Sequence, residues 1–113
     1  MTGYEAGDIV LVPFPFGEGA GGMKRPALVL SPSDFNQATG ELVIAQITSR
    51  SPAAPQPGDY RIEGWKEANL PCPALVRARL ATLKTSLALR RLGTLTDAEF
   101  QSARNALSGV ILG

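Results

Sequence analysis

The chain has 113 residues, 11 Lys+Arg against 10 Asp+Glu, one cysteine and no histidine, which describes one small, nearly neutral domain over residues 1–113. Without histidine there is no Ser/His/Asp or Cys/His triad and no imidazole general base, so acid–base work falls to carboxylates, arginine, lysine or tyrosine. A solitary Cys72 excludes an internal disulfide and a Cys/His zinc site and suits a reducing compartment.

Asp8-Ile-Val-Leu-Val-Pro13 is β-branched and apolar and reads as a buried first strand after Gly7. Phe14-Pro15-Phe16 then leaves the sheet. Gly17, Gly19, Gly21 and Gly22 form a loop with little steric restriction, suited to lying close to a ligand. Arg25-Pro26 opens a second strand, Ala27 to Ser31, because proline is tolerated at a first strand position and holds its predecessor extended. Arg25 is thereby set at a strand mouth.

Pro32 to Gly40 is a connection with a short helical turn around Asp34 to Gln37. The third strand, Leu42 to Thr48, places Leu42, Ile44, Gln46 and Thr48 on one face and Val43, Ala45 and Ile47 on the other. Ser51 to Gly58 is a proline-rich loop, Asp59 to Glu63 a short strand, and Gly64 to Pro73 irregular. Ala74 to Leu83 alternates as a strand, with Leu75, Arg77 and Arg79 opposite Ala74, Val76, Ala78 and Leu80. Lys84 to Leu92, rich in Leu and Ala and followed by Gly93, is predicted as a helix with Arg90 and Arg91 in its last turn. Thr96-Asp-Ala-Glu99 is a capping box, Thr96 serving the amide three residues on and Glu99 reaching back. Phe100, Ala103, Leu107, Val110 and Ile111 follow at helical spacing and are expected to pack on the sheet. The fold class is mainly β with a terminal helix (α+β), most economically a small, strongly bent sheet or barrel.

Charge is unevenly distributed. Residues 1–72 hold 5 basic and 8 acidic side chains, and residues 73–113 hold 6 and 2, a division of −3 against +4. Arg77, Arg79, Lys84, Arg90 and Arg91 follow one another with no acid between them. They form either an anion-facing edge or a solvated face paired with acids elsewhere in the fold. The N-terminus carries no basic stretch before an apolar core, and no apolar run approaches the roughly 18 residues of a membrane helix, so a soluble, unprocessed, cytoplasmic protein is expected.

Three segments, in order and spacing, carry a resemblance: Gly7-Asp8-Ile9-Val10-Leu11-Val12 before the glycine-rich loop; Lys24-Arg25-Pro26-Ala27-Leu28-Val29-Leu30-Ser31; and Ile44-Ala45-Gln46-Ile47-Thr48-Ser49. Together they resemble the MazF/PemK (Kid) family of type II toxin-antitoxin toxins. Val76 to Leu83, with Arg90-Arg91-Leu92-Gly93 behind it, looks like the same family's last strand and following helix. The resemblance implies a small SH3-like barrel of the MazF/Kid/CcdB type, a homodimer, a cognate antitoxin and growth arrest through metal-independent, sequence-specific cleavage of single-stranded RNA. No cofactor or metal is implied. The family's active-site arginine falls on Arg25 and its strand-end threonine on Thr48. A loop glutamate found in some members falls near Glu18. Lys24, Phe14, Phe16, Ser49, Arg77 and Arg79 are the accompanying RNA-binding candidates, and Tyr4 and Trp65 are further aromatics of a size to stack on bases.

These residue types suit that chemistry. In metal-free RNA cleavage the neighbouring 2′-OH is the nucleophile, so the protein must align it and stabilise charge on the phosphoryl oxygens. Arginine presents a planar fork to two phosphate oxygens and stays cationic at working pH. Arg25 is therefore assigned to clamping rather than to general-base work, and Thr48 offers a hydroxyl donor. The competing structural readings are a surface Arg25 paired with Glu18 or Asp34, and a Thr48 present for β-propensity or a turn hydrogen bond. Some members place arginine and aspartate in the last strand and a histidine in the first loop. Ala81, Leu83 and Lys84 stand in that strand segment, so a Kid-like acid–base set is missing. The alternative functions are a non-enzymatic toxin that binds DNA gyrase through its C-terminal helix, as the related CcdB toxins do, and a degenerate member that only binds RNA or antitoxin.

Overall fold

A computed structural model describes residues 3–13, 23–49 and 56–113. Phe14, Phe16 and Glu18 lie outside the described residues. Six strands, β1 (Asp8–Pro13), β2 (Lys24–Val29), β3 (Glu41–Thr48), β4 (Tyr60–Ile62), β5 (Ala74–Lys84) and β6 (Arg90–Thr94), form one sheet in the order β4-β5-β3-β2-β1-β6, with every neighbouring pair antiparallel. The sheet curls into a half-barrel. Helices α1 (Ser33–Thr39) and α2 (Asp97–Ile111) complete the described fold.

The central strands are apolar at consecutive positions because both of their faces are buried. On the α2 side, Ile9, Leu28, Ala45, Ile47 and Val76 pack with Ala103 and Leu107 of the helix. On the other face, Val10, Val12, Ala27, Val29, Leu42, Ile44 and Leu83 form a second cluster, with Tyr4, Leu87 and Ala88 packed against it. The predicted division of β3 agrees, with Leu42 and Ile44 in one cluster and Ala45 and Ile47 in the other. A fully buried aliphatic side chain contributes about 1.5–3 kcal/mol, so the doubly buried strands are the rigid part of the molecule.

The predicted helix over Lys84–Leu92 is not formed. A 3-10 turn spans Thr85–Leu87, and the chain then extends as β6 along the outer edge of β1. A helix would leave the backbone groups of that edge unpaired, whereas Leu89 donates its amide to the Leu11 carbonyl and β6 continues the ladder. Gly93 is accordingly not a helix stop. A Cβ there would lie 2.2 Å from the carbonyl oxygen of Ala68, so glycine lets the β4–β5 connection settle on β6. Asn69, at φ 63, adds a side-chain hydrogen bond of 2.9 Å to the Leu92 carbonyl.

Smaller departures have equally local causes. β2 begins at Lys24 and ends at Val29, enclosing Pro26, and its ladder with β3 starts at Ala27, one residue beyond the proline that cannot donate. The helical turn extends over Ser33–Thr39 and closes on Gly40 at φ 70, whose amide reaches the Asn36 carbonyl. Thr96 caps α2 as predicted by accepting from the Glu99 amide. Glu99 does not reach back: its carboxylate accepts from the Tyr60 hydroxyl at 2.5 Å and from the Glu63 and Gly64 amides, each at 2.9 Å. Burial first, then the hydrogen bond to Glu99 and the charges of Glu99 and Glu63, raise the Tyr60 pKa well above the ordinary phenol range. Val110 and Ile111, expected to pack on the sheet, are 48% and 57% exposed.

Candidate functional site

The mouths of β1, β2, β3 and β6, with the segment leading into β5, enclose a cavity of about 230 Å³ beside Arg25. Its walls are largely apolar, and Lys24, Arg25, Ser49 and Cys72 are the polar side chains along it. Three sequence candidates, Lys24, Arg25 and Ser49, thus come together. Cys72 joins them from the β4–β5 connection, an irregular segment whose sequence carries no periodicity to predict its position.

Thr48 approaches Arg25 by a different route. The β2–β3 register pairs Ala27 with Gln46 and Val29 with Ile44. Continued by two residues, it sets Arg25 opposite Thr48, consistent with Pro26, Lys24, Ile47 and Ser49 all meeting at the cavity. Strand alternation gives Arg25 the face of Ala27 and Val29, and Thr48 the face of Ile44 and Gln46, which is the same face of the sheet. Directly opposed residues have Cβ atoms about 4.5–5.5 Å apart, close enough for both side chains to reach one phosphate-sized group. Both are half-buried.

The basic run does not form one continuous edge. Arg77 is held by Asp59 at 3.4 Å, and that carboxylate is 2% exposed. Arg91 is held by Asp8 at 3.1 Å and lies over the Tyr4 ring. Asp8 also accepts from the Glu5 amide and the Thr94 hydroxyl, which ties the N-terminal segment to β6. Arg79 is exposed on β5. Trp65 packs against the α2-side core with Lys66 over its ring. Among the described residues no group of three or more His, Cys, Asp or Glu is placed to hold a metal ion, and no helix is long and apolar enough to cross a membrane.

A sequence model described as "PemK-like, MazF-like toxin of type II toxin-antitoxin system" matches residues 5–111. The chain belongs to that family. Among solved structures, MazF from Deinococcus radiodurans superposes with a TM-score of 0.76 at 25% identity, with 100% of each chain covered. A MazE–MazF complex from the same organism gives 0.77 at 21% identity, covering 98% of this chain and 97% of the other. An endoribonuclease in complex with its cognate antitoxin, from a mycobacterial species, gives 0.75 at 19% identity, covering 96% and 94%. No curated protein sequence matches. The likeness establishes the half-barrel with its C-terminal helix as the fold of MazF toxins, in agreement with the architecture expected from the sequence.

Proposed function

We propose that this chain is a single-domain toxin that cleaves single-stranded RNA at specific sequences without a metal ion. The reading is supported by the β2–β3 register, which continued by two residues sets Arg25 opposite Thr48, and by the cavity that Arg25 lines with Lys24 and Ser49. The substrate's own 2′-oxygen attacks phosphorus as the bond to the 5′-oxygen breaks. The proton leaves the 2′-hydroxyl and one is delivered to the departing oxygen, so the products are a 2′,3′-cyclic phosphate and a 5′-hydroxyl. Arg25 clamps the phosphoryl oxygens and stabilises their growing charge, while Thr48 donates to one of them. Lys24 and Ser49 hold the adjoining strand. The active toxin is a homodimer in the cytoplasm, neutralised by an acidic antitoxin over the same basic face. MazE–MazF complexes among the similar structures support that partner.

The test is Arg25→Ala in purified protein incubated with mixed-sequence single-stranded RNA, with and without a chelator. Chelator-resistant cutting by the wild type, lost in the folded variant together with growth arrest, is expected. Undiminished cutting or toxicity in Arg25→Ala refutes the assignment. A gyrase-binding reading draws support from the exposed end of α2, where Val110, Ile111 and Leu112 face solvent. Intact RNA beside trapped gyrase complexes in the same assay would favour it.

A further inference from the structure

We propose that Arg61 is a second phosphate-binding side chain, a positioning residue that holds the RNA strand to one side of the phosphate clamped by Arg25; this rests on the ribonuclease reading. The register of the sheet leads to it. Leu75 is opposite both Thr48 of β3 and Arg61 of β4, and Arg25 is opposite Val12 of β1. With Arg25 opposite Thr48, one transverse row crosses five strands as Val12, Arg25, Thr48, Leu75 and Arg61. Directly opposed residues of antiparallel strands project to the same face. The alternation of β4 agrees independently: Tyr60 and Ile62 pack in the α2-side core, so Arg61 between them projects to the face of Arg25.

Three strand spacings separate Arg25 from Arg61, about 14 Å at about 4.8 Å each. That exceeds the reach of two side chains onto one phosphate group, so the two guanidiniums address different phosphates of one strand. Leu75 between them is 1% exposed and gives the row a closed apolar floor. Arg61 is exposed on β4, the edge strand of the sheet. Glu63, in the turn just beyond the end of β4, brings a negative charge that marks the limit of the basic track. An acidic peptide would also be drawn to Arg61. RNA is favoured because its charges repeat along a line, as do the positions of this row, and because the row already contains the Arg25–Thr48 pair.

The experiment compares wild type, Arg61→Gln and Arg61→Lys for binding to a mixed-sequence, fully 2′-O-methylated RNA of about twelve nucleotides across a salt series. A single lost contact in Arg61→Gln lowers the slope of log K against log salt by about 0.7. It weakens binding about 3- to 10-fold at low salt, and Arg61→Lys restores both. A trinucleotide, too short to span both arginines, shows no difference. On cleavable RNA, KM rises by more than kcat falls. Unchanged slope and affinity in Arg61→Gln overturn the proposal, as does a loss confined to an acidic peptide with RNA binding intact. The two readings fail separately. Wild-type protein that leaves cleavable RNA intact removes the ribonuclease reading itself, whereas cleavage by the wild type beside wild-type behaviour of Arg61→Gln removes only the role of Arg61.

Discussion

Gly93→Ala tests how the half-barrel is closed. The added Cβ would lie 2.2 Å from the Ala68 carbonyl oxygen and 2.7 Å from its carbonyl carbon. Restoring an ordinary C···O separation of about 3.3 Å requires the β4–β5 connection to retreat by about 1 Å. Both atoms belong to the backbone, so no side-chain rotation relieves the contact. A retreat of that size also breaks the 2.9 Å hydrogen bond from Asn69 to the Leu92 carbonyl. Overpacking costs about 1–3 kcal/mol and the lost bond about 1 kcal/mol, giving about 2–4 kcal/mol in total. Net stability is roughly 5–15 kcal/mol, so the loss is large and lowers Tm by about 10–20 °C. Urea and thermal unfolding measure it. Gly93→Asn separates this cause from a helix-stop role: at a left-handed position Asn is tolerated, whereas against Ala68 it is at least as damaging as Ala. A Gly93→Ala loss below about 0.5 kcal/mol, or a Gly93→Asn variant as stable as the wild type, refutes the close-approach account. Leu70 and Leu92 line the cavity beside Arg25, so the displaced connection should also speed alkylation of Cys72.

Thr48→Val removes the hydroxyl but keeps the β-branched shape. It should lower kcat/KM for RNA cleavage by about 10- to 100-fold, with Thr48→Ser within a few-fold of the wild type; equal activity in Thr48→Val means the residue serves only the strand. Tyr60 gives a pH dependence. Its pKa is raised on folding, so the folded protein keeps a proton that the unfolded chain loses near pH 10. The stabilisation is complete below that pH and declines above it, by at most about 1.4 kcal/mol per pH unit. Denaturant titrations from pH 8 to 11.5 should show a steeper alkaline loss in the wild type than in Tyr60→Phe, and identical slopes would exclude Tyr60 as the cause.

The legible parts of the fold were those in which one residue type answers one local demand. Asp8–Pro13 is apolar at successive positions because both faces of β1 are buried, and its bounds were predicted without error. Thr96 could be read as a cap from its own neighbourhood. Lys84–Leu92 misled because Leu and Ala satisfy a helix in isolation, while an exposed edge of β1, a non-local fact, decides their conformation. Glu99 misled similarly: the capping-box spacing is local, but Tyr60 and the amides of Glu63 and Gly64 arrive from a distant segment and capture the carboxylate. At the site, Arg25 was legible from its proline-set strand mouth. Arg61 lay within a strand predicted as Asp59–Glu63 and found as Tyr60–Ile62, yet its partner strand was not assigned, and facing can be read only from pairing. The position of Cys72 depends on an irregular connection.

The uneven charge distribution acquires a spatial meaning from these pairings. If the positive second half met ligands as a unit, Arg77 and Arg91 would be available together with Arg79, Lys84 and Arg90. Instead, Asp59 and Asp8, both from the negative first half, each hold one of them. The cations on the Arg25–Thr48 row come from the first half as well, Arg25 and Arg61. Folding therefore uses part of the positive excess to secure the edges of the sheet, β4 with β5 on one side and the N-terminal segment with β6 on the other. The proposed anion-binding positions are on strands whose register is fixed by buried neighbours. A phosphate clamp gains from that arrangement because the arginine is oriented before the ligand arrives, and little of the binding free energy is spent ordering it. Neutralising Asp59 by Asp59→Asn would release Arg77 toward the same face, adding positive charge but loosening β4. The proposed affinity for RNA and the stability of the edge strand are thereby opposed at one carboxylate.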